Sequence, residues 1–221
     1  MSAASAPSRN PLPILVLFHL VVIAASNYLV QLPIVIEKLN VTTTWGAFTF
    51  PFIFLATDLT VRLYGANLAR KIIFFAMLPA LVLSYVVSVL FFEGHFQGFA
   101  ELLTFNSFVG RIAFASLLAY LMGQLLDVKV FSVVRERFSQ LWWVAPALSL
   151  VVGSLLDTLI FFGVAFYQST DAFMAENWMH IATVDYGVKL VIGLLIFVPA
   201  YGMAMKAMVN WFMKDPAVMS N

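Results

Sequence analysis

The sequence predicts an all-α, polytopic membrane protein with six transmembrane helices in a single domain over residues 1–221. Its side chains are 62% hydrophobic and only 10% charged, whereas a soluble domain carries roughly 45–50% apolar and about 25% charged residues. The chain also contains six mostly apolar windows of about 20 residues, the length that a helix needs to cross roughly 30 Å of hydrocarbon. Strand alternation is absent, so a membrane β-barrel is not expected.

The predicted spans follow one another with short connections. They cover residues 12–32, 46–64, 68–92, 104–126, 142–166 and 178–205. Pro11 and Pro13 at the entrance of the first span suit a helix start, so this span is interpreted as a permanent helix and not as a cleaved signal. In residues 127–141, apolar side chains recur at helical spacing beside Arg135 and Arg137. This pattern predicts a short amphipathic connector on the cytoplasmic membrane surface.

Basic residues collect at one set of alternate span ends. That set contains Arg9, Arg70, Lys71, Lys129, Arg135, Arg137, Lys206 and Lys214. Lys38 falls on the other set, which holds mostly acidic residues. Since lysine and arginine of short loops are retained on the cytoplasmic side, the pattern predicts a multi-pass protein with both termini in the cytoplasm.

Composition and motifs exclude several function classes. A net charge of +1 gives no reason to expect a nucleic-acid partner. The absence of cysteine excludes disulfides and thiolate chemistry. The sequence has no phosphate-binding Walker loop, no zinc-protease motif and no nucleophile elbow. We therefore expect no catalytic residues, no cofactor and no metal, and interpret the chain as a transport protein in the lipid bilayer.

Charged residues inside the predicted spans need an explanation, because an unpaired charge at membrane depth costs several kcal/mol. These residues are Asp58, Arg62, Arg111, Asp157, Asp185 and Lys189. Depth along the helices predicts that Arg111 pairs with Asp157 and that Asp58 lies near Lys189, close to the midplane. Two interpretations stay open for this charge network: braces between helices, or the wall of a polar cavity. For Arg62 a side chain reaching back to the interface is favoured.

Uncharged polar residues extend the predicted cavity. In the first span, His19, Ser26, Asn27 and Gln31 fall on one helical face. The second span is short and contains Pro51, which is interpreted either as a break that supplies free backbone groups, as in transporters, or as a proline tolerated near a helix start. Its counterpart in the second half would be the fifth span, which suggests a 3+3 inverted pseudo-repeat.

Longer stretches carry a more specific pattern. They are residues 26–33 (SNYLVQLP), 43–65 (TTWGAFTFPFIFLATDLTVRLYG), 157–162 (DTLIFF) and 171–189 (DAFMAENWMHIATVDYGVK). This pattern resembles the bacterial queuosine precursor transporters, which are inner-membrane proteins like the vitamin uptake transporters. The resemblance implies six helices, a bacterial inner-membrane location, and uptake of cyano- and aminomethyl-deazaguanine bases for queuosine modification of tRNA.

The implied ligand suggests roles for several residues. A guanine-like edge presents adjacent N–H donors that a carboxylate accepts as a pair, so Asp58 or Asp185 is expected to bind it. Lys189, one turn from Asp185, is counted among the substrate-binding residues. Asn27 and Gln31 are expected to contact the ring carbonyl or its substituent. The candidates for a stacking ring are Trp45, Phe50 and Tyr186.

A second function class fits the same helices. A substrate-capture subunit of a multi-component vitamin or nucleobase transporter would need a separate ATPase module and would dock through small residues four apart. That spacing occurs as Ala115/Ala119 and Ala200/Ala204. The sequence leaves open the energy source, the preferred precursor and the oligomeric state, with a homo-oligomer among the alternatives.

Overall fold

The computed structural model describes residues 11–36, 41–49, 51–92 and 94–214, and most of these are helical. The helices are α1 Leu12–Leu29, α2 Gly46–Thr49, α3 Pro51–Tyr64, α4 Ala66–Leu90, α5 Ser107–Arg137, α6 Val144–Phe166, α7 Ala172–Ile192 and α8 Val198–Lys214. A 3₁₀ turn, Phe99–Leu103, precedes α5, and a π-helical turn, Gly193–Phe197, joins α7 to α8. Two antiparallel hairpins pair β1 Pro33–Ile36 with β2 Val41–Thr44, and β3 Phe91–Phe92 with β4 His95–Phe96.

The distribution of side chains is that of a membrane protein. Five described helical segments are long and apolar enough to cross a bilayer: Leu12–Leu29, Ala66–Leu90, Ser107–Arg137, Val144–Phe166 and Ala172–Ala207. Large apolar side chains point outward, since Phe74, Leu78 and Leu195 are 52%, 60% and 72% exposed. Asp58, Gln124 and other polar side chains are buried instead. The all-α, polytopic membrane class predicted from the sequence is confirmed.

The described residues of the predicted second span, 46–64, are helical on both sides of Phe50, which lies outside the described residues. They form α2, Gly46–Thr49, and α3, Pro51–Tyr64. The end of α3 is set by Gly65, which has a φ of 86°, a conformation that suits glycine. By length, this segment is not among the five membrane-crossing helices.

The amphipathic connector predicted at 127–141 is not a separate helix. Helix α5 runs unbroken for 31 residues from Ser107 to Arg137, because no glycine or proline interrupts it after Gly123. Asp127 and Phe131, placed by the prediction on the membrane surface, are each 0% exposed. The helix continues through them and packs into the core of the bundle.

Helices α5 and α6 form the most extensive helix contact among the described elements. They are antiparallel, and they cross where Gly123 faces Gly153. A Cβ on Gly123 would lie 3.0 Å from the Asp157 Cβ, and one on Gly153 would lie 3.2 Å from the Asp127 Cβ. The contact is reciprocal because the sequence repeats Gly-x-Leu-Leu-Asp at 123–127 and 153–157. Each glycine makes room for the aspartate of the opposite helix.

The two ends of the bundle differ in character. The hairpin end holds both hairpins and the start of α5, and there the Tyr28 hydroxyl donates to the Gly94 carbonyl at 3.1 Å. The basic end holds the end of α3 and the end of α5, where the Arg135 Nη1 donates to the Arg62 carbonyl at 3.3 Å. The Gly123–Gly153 crossing lies between these two ends.

We expect Gly153→Val to destabilise the protein by about 1–3 kcal/mol, because its side chain would overfill the α5–α6 crossing. A Cβ at this position would lie only 2.9 Å from the Phe54 Cε1. Thermal unfolding in detergent would measure the change. Gly187→Val is the matched control, since a Cβ at Gly187 meets no atom within 4 Å. Equal melting temperatures for both variants would show that the crossing is loosely packed.

Candidate functional site

A polar cavity of about 160 Å³ lies between α1, α4, α5, α6 and α7. Its polar wall consists of Ser26, Asn27, Thr44, Ser84, Ser116, Tyr120, Asp157, Asp185 and Lys189. Phe161, Phe162 and the ring of Tyr120 form the aromatic wall. The cavity combines flat apolar surfaces with a few converging polar groups, the usual composition of a small-molecule site.

Lys189 lies between two carboxylates in this cavity. Its Nζ is 2.7 Å from the Asp185 Oδ2 and 3.3 Å from the Asp157 Oδ2. It also donates to the Thr158 Oγ1 at 3.2 Å. Asp185 and Lys189 are one turn apart on α7, as the sequence predicts, while Asp157 comes from α6. With two acids and one base, the group carries a formal excess of one negative charge.

Asn27 presents its amide to the cavity from α1. Ser84 on α4 donates to the Asn27 Oδ1 at 2.9 Å, and the Asn27 Nδ2 donates to the Ile23 carbonyl at 2.8 Å. Two fixed hydrogen bonds hold the amide in one orientation. One N–H of the Nδ2 group is then left for a partner in the cavity. Gln31, by contrast, is outside the cavity wall, and its Nε2 donates to the Asn27 carbonyl at 3.4 Å.

Two of the predicted stacking rings, Trp45 and Tyr186, do not line this cavity. Trp45 is exposed and contacts Phe48, with ring centroids 5.8 Å apart. Tyr186 donates from its hydroxyl to the Val151 carbonyl at 3.1 Å, at the α6–α7 contact. Phe50 lies outside the described residues. Phe161 and Phe162, which the sequence reasoning did not single out, take the position of the flat wall.

The predicted pairing of Arg111 with Asp157 is wrong. The Arg111 guanidinium donates to the carbonyls at the end of α6, with 2.7 Å to Val164 and 2.5 Å to Tyr167. The last carbonyls of a helix have no partner within it, and Arg111 satisfies them. Asp157 pairs with Lys189 instead. Similar depth in two helices was a poor guide because it carries no information on which faces meet.

Asp58 is also separate from Lys189, contrary to the prediction. It is buried on α3 in a second polar group nearer the basic end, where Ser149 donates to both of its carboxylate oxygens at 3.4 Å. Arg62 is one turn further along α3, and its Nη1 donates to the Tyr201 hydroxyl at 3.4 Å. The predicted charge network is therefore divided between the cavity, the end of α6 and the basic end.

Asp127 is a buried acid that the sequence reasoning missed. Its carboxyl lies beside Asp58 and Ser149. Lys129, Arg135 and Arg137 follow it closely and made its segment look like a surface connector. The sequence signal that identifies Asp127 is its position four residues after Gly123, because Asp157 follows Gly153 at the same spacing.

A polytopic bundle that is apolar outside, with a polar cavity among its helices, defines the class of α-helical membrane transport proteins. The model of a family described as putative vitamin uptake transporter matches residues 44–204, and the chain belongs to that family. The chain is 58% identical over 194 residues to the "Queuosine precursor transporter" of Escherichia coli (strain K12), covering 88% of this chain and 86% of that protein.

Two further relatives carry similar names. A "Probable queuosine precursor transporter" of Haemophilus influenzae is 54% identical over 203 residues, covering 87% of this chain and 86% of the relative. Another, from Bacillus subtilis (strain 168), is 34% identical over 171 residues, covering 75% of this chain and 73% of the relative. No solved structure matches the chain. The resemblance found in the sequence motifs is confirmed.

We expect Lys189→Met to destabilise the protein by about 3–5 kcal/mol, because it leaves the buried Asp157 and the partly buried Asp185 without their cation. The triple change Asp157→Asn, Asp185→Asn, Lys189→Met should recover most of that loss, since it removes all three charges. Thermal unfolding in detergent measures both variants. Lys206→Met, at an exposed position, is the control. If Lys189→Met alone were as stable as the native chain, Lys189 would not be the cation that balances Asp157 and Asp185.

Proposed function

We propose that this protein takes up queuosine precursors, the cyano- and aminomethyl-deazaguanine bases, across the bacterial inner membrane for queuosine modification of tRNA. The close similarity to the Escherichia coli protein carries the proposal. The chemistry of the cavity supports it, because a planar, hydrogen-bonding base needs flat apolar walls and fixed polar partners. Phe161, Phe162, Asn27 and the Asp185 group supply these.

The cavity suggests how the base is held. Asp185 and Asp157 share one ammonium group, so carboxylate oxygens remain available to accept the adjacent N–H donors of a guanine-like edge. The free N–H of Asn27 can donate to the ring carbonyl from the opposite wall. Of the acids first considered for the base edge, Asp185 is favoured over Asp58, because Asp185 lines the cavity and Asp58 does not.

The alternative, a capture subunit that needs a separate ATPase module, loses one of its two small-residue pairs, while Ala200 and Ala204 on α8 are half-buried. Ala115 and Ala119 are 0% and 2% exposed, and Ala115 packs in a cluster with Phe162, Ala165 and Ala182. These small residues fill the interior of this chain and are not available for docking another protein. We propose that the chain transports its substrate alone.

We also propose that α2 and α3 together complete a sixth crossing. Their 4 and 14 residues reach about 27 Å at 1.5 Å per residue, close to the thickness of the hydrocarbon core. An even number of crossings puts both termini on one side, and the basic end identifies that side as the cytoplasm. Three crossings per half would also permit the inverted pseudo-repeat.

The orientation can be tested by cysteine labelling, because the native chain contains no cysteine. Ser139→Cys lies between α5 and α6, and Thr170→Cys lies between α6 and α7; both positions are exposed. In intact spheroplasts, a membrane-impermeant maleimide should label the residue-170 variant and not the residue-139 variant. Permeabilisation should make both react. The opposite pattern in intact cells would reverse the proposed topology.

Transport itself is tested with the purified chain in liposomes and labelled cyano- or aminomethyl-deazaguanine. We expect uptake without any added ATPase. Asp185→Asn should reduce uptake about 10- to 100-fold, because a hydrogen bond to a charged group contributes about 1.5–3 kcal/mol. Glu176→Gln, an exposed change on the same helix, should leave uptake unchanged. Absence of uptake by the native chain alone would favour the capture-subunit alternative, and full uptake by the Asp185 variant would remove that residue from the site.

A further inference from the structure

A second polar group, separate from the cavity, lies on the basic side of the Gly123–Gly153 crossing. It contains Asp58 from α3, Asp127 from α5 and Ser149 from α6, which are 3%, 0% and 0% exposed. None of the three lines the 160 Å³ cavity. Since the queuosine precursor would occupy that cavity, these buried acids have no role in holding it.

Asp127 has an unmet requirement for a ligand. Among the residues that the structure describes, neither of its carboxylate oxygens makes a hydrogen bond of good geometry, and the polar groups beside it are the Ser149 hydroxyl and the Asp58 carboxyl. Its neighbour Asp58 accepts 3.4 Å bonds from Ser149. Burying an ionised carboxylate without a partner is costly, and two such groups side by side repel each other. This site therefore needs a positive species.

The nearby cations and titratable groups are engaged elsewhere. In the described part of the chain, no lysine or arginine forms an ion pair with Asp58 or Asp127, because the salt bridges found there all belong to Lys189. Arg62 donates to the Tyr201 hydroxyl, and Arg135 donates to the Arg62 carbonyl. On α1, the His19 Nδ1 bonds the Leu15 carbonyl at 2.8 Å and its Nε2 contacts the Thr57 hydroxyl at 3.3 Å.

The space beside the acids suits a proton better than a metal ion. The cleft that reaches Asp58 has a volume of about 10 Å³, which is about the room of one water molecule. Its wall is mainly apolar, with Pro51, Phe54, Pro146 and Leu150 around the carboxyl. Two carboxyls and one hydroxyl provide at most five oxygens, fewer than the roughly six to eight that Ca²⁺ takes.

We propose that Asp58 and Asp127 form a proton-binding site that couples precursor uptake to the proton gradient, an inference that rests on the proposed transport function. The α5–α6 crossing links this site to the cavity. The Cβ of Asp127 lies against Gly153, and the Cβ of Asp157 lies against Gly123. Protonation of Asp127 changes how closely α5 approaches α6. Because Asp157 packs at the same crossing, this change also moves Asp157 and its partner Lys189 in the cavity wall.

The test uses the purified full chain in liposomes with the cyano base as the probe, because this base has no aliphatic amine that would itself follow a pH gradient. An inward proton gradient should drive accumulation of the labelled base in native vesicles, and a protonophore should abolish it. A pH-sensitive dye trapped in the vesicles should report acidification when the base enters. A sodium gradient without a proton gradient should drive none. Accumulation on sodium alone would overturn the proton site.

Asp127→Asn separates proton coupling from substrate binding. We expect gradient-driven accumulation to fall at least tenfold, while exchange of labelled for unlabelled base at equal pH stays within twofold of the native rate. Glu136→Gln, an exposed acid on the same helix, should retain both activities. Asp58→Asn provides a second variant, and melting temperatures show that each variant is folded.

The possible failures are distinguishable. If the native chain neither binds nor exchanges the base, the proposed transport function is wrong. If it exchanges the base without acidifying the vesicles, only the proton site is wrong. Loss of exchange together with accumulation in well-folded Asp127→Asn would also overturn the proposal, because it would place Asp127 in the substrate path. Should both Asn variants fail to fold, the proton movement of the native chain still decides the question.

Discussion

The cost of placing charge in a lipid environment governs the internal arrangement of this bundle. An ionised side chain at membrane depth requires a partner of opposite charge, a set of hydrogen bonds, or water. Lys189 meets the requirement with two carboxylates, and Arg111 meets it with the free carbonyls at the end of α6. Asp58 and Asp127 are the exception, since the described residues offer them only a serine hydroxyl. That imbalance is the basis for assigning them a ligand.

Much of the fold could be predicted from the sequence because lipid imposes a simple rule on length and polarity. Long apolar windows marked the helices, and the sequence placed Asp185 and Lys189 one turn apart, although Lys189 was expected near Asp58. The second span was predicted in the same way, and its described residues are helical on both sides of Phe50. The connector was misjudged because basic residues near Asp127 suggested a surface position, while the backbone simply continued as a helix.

The candidate site was only partly predictable, since it depends on which helix faces meet. Sequence gives the depth of Arg111 and Asp157 along their helices but not the direction in which each side chain points. The position of the flat wall was missed for the same reason: Phe161 and Phe162 are two among 22 phenylalanines, and only packing distinguishes them from those that face lipid. Asn27 was identifiable because its neighbours on the same helical face were polar as well.

The reciprocal glycine contact explains how one bundle can hold two polar groups without merging them. Because α5 and α6 are antiparallel, the aspartate one turn after each glycine is displaced toward an opposite end. Gly123 lies level with Asp157, and Gly153 lies level with Asp127. Four residues therefore place Asp127 and Asp157 about 6 Å apart along the helix axes. The crossing therefore separates the two polar groups. It also keeps Asp127 against α6 and Asp157 against α5.

The helix formed by α7, the π-helical turn and α8 provides a second connection between the same two groups. Lys189 lines the cavity, whereas Tyr201, about three turns later, lines the cleft beside Asp58. In a regular α-helix these two side chains would point roughly a third of a turn apart. The extra residue that a π turn accommodates removes most of that rotation, so both face the bundle interior. The turn at Gly193–Phe197 is thus what allows one continuous helix to contribute to both polar groups.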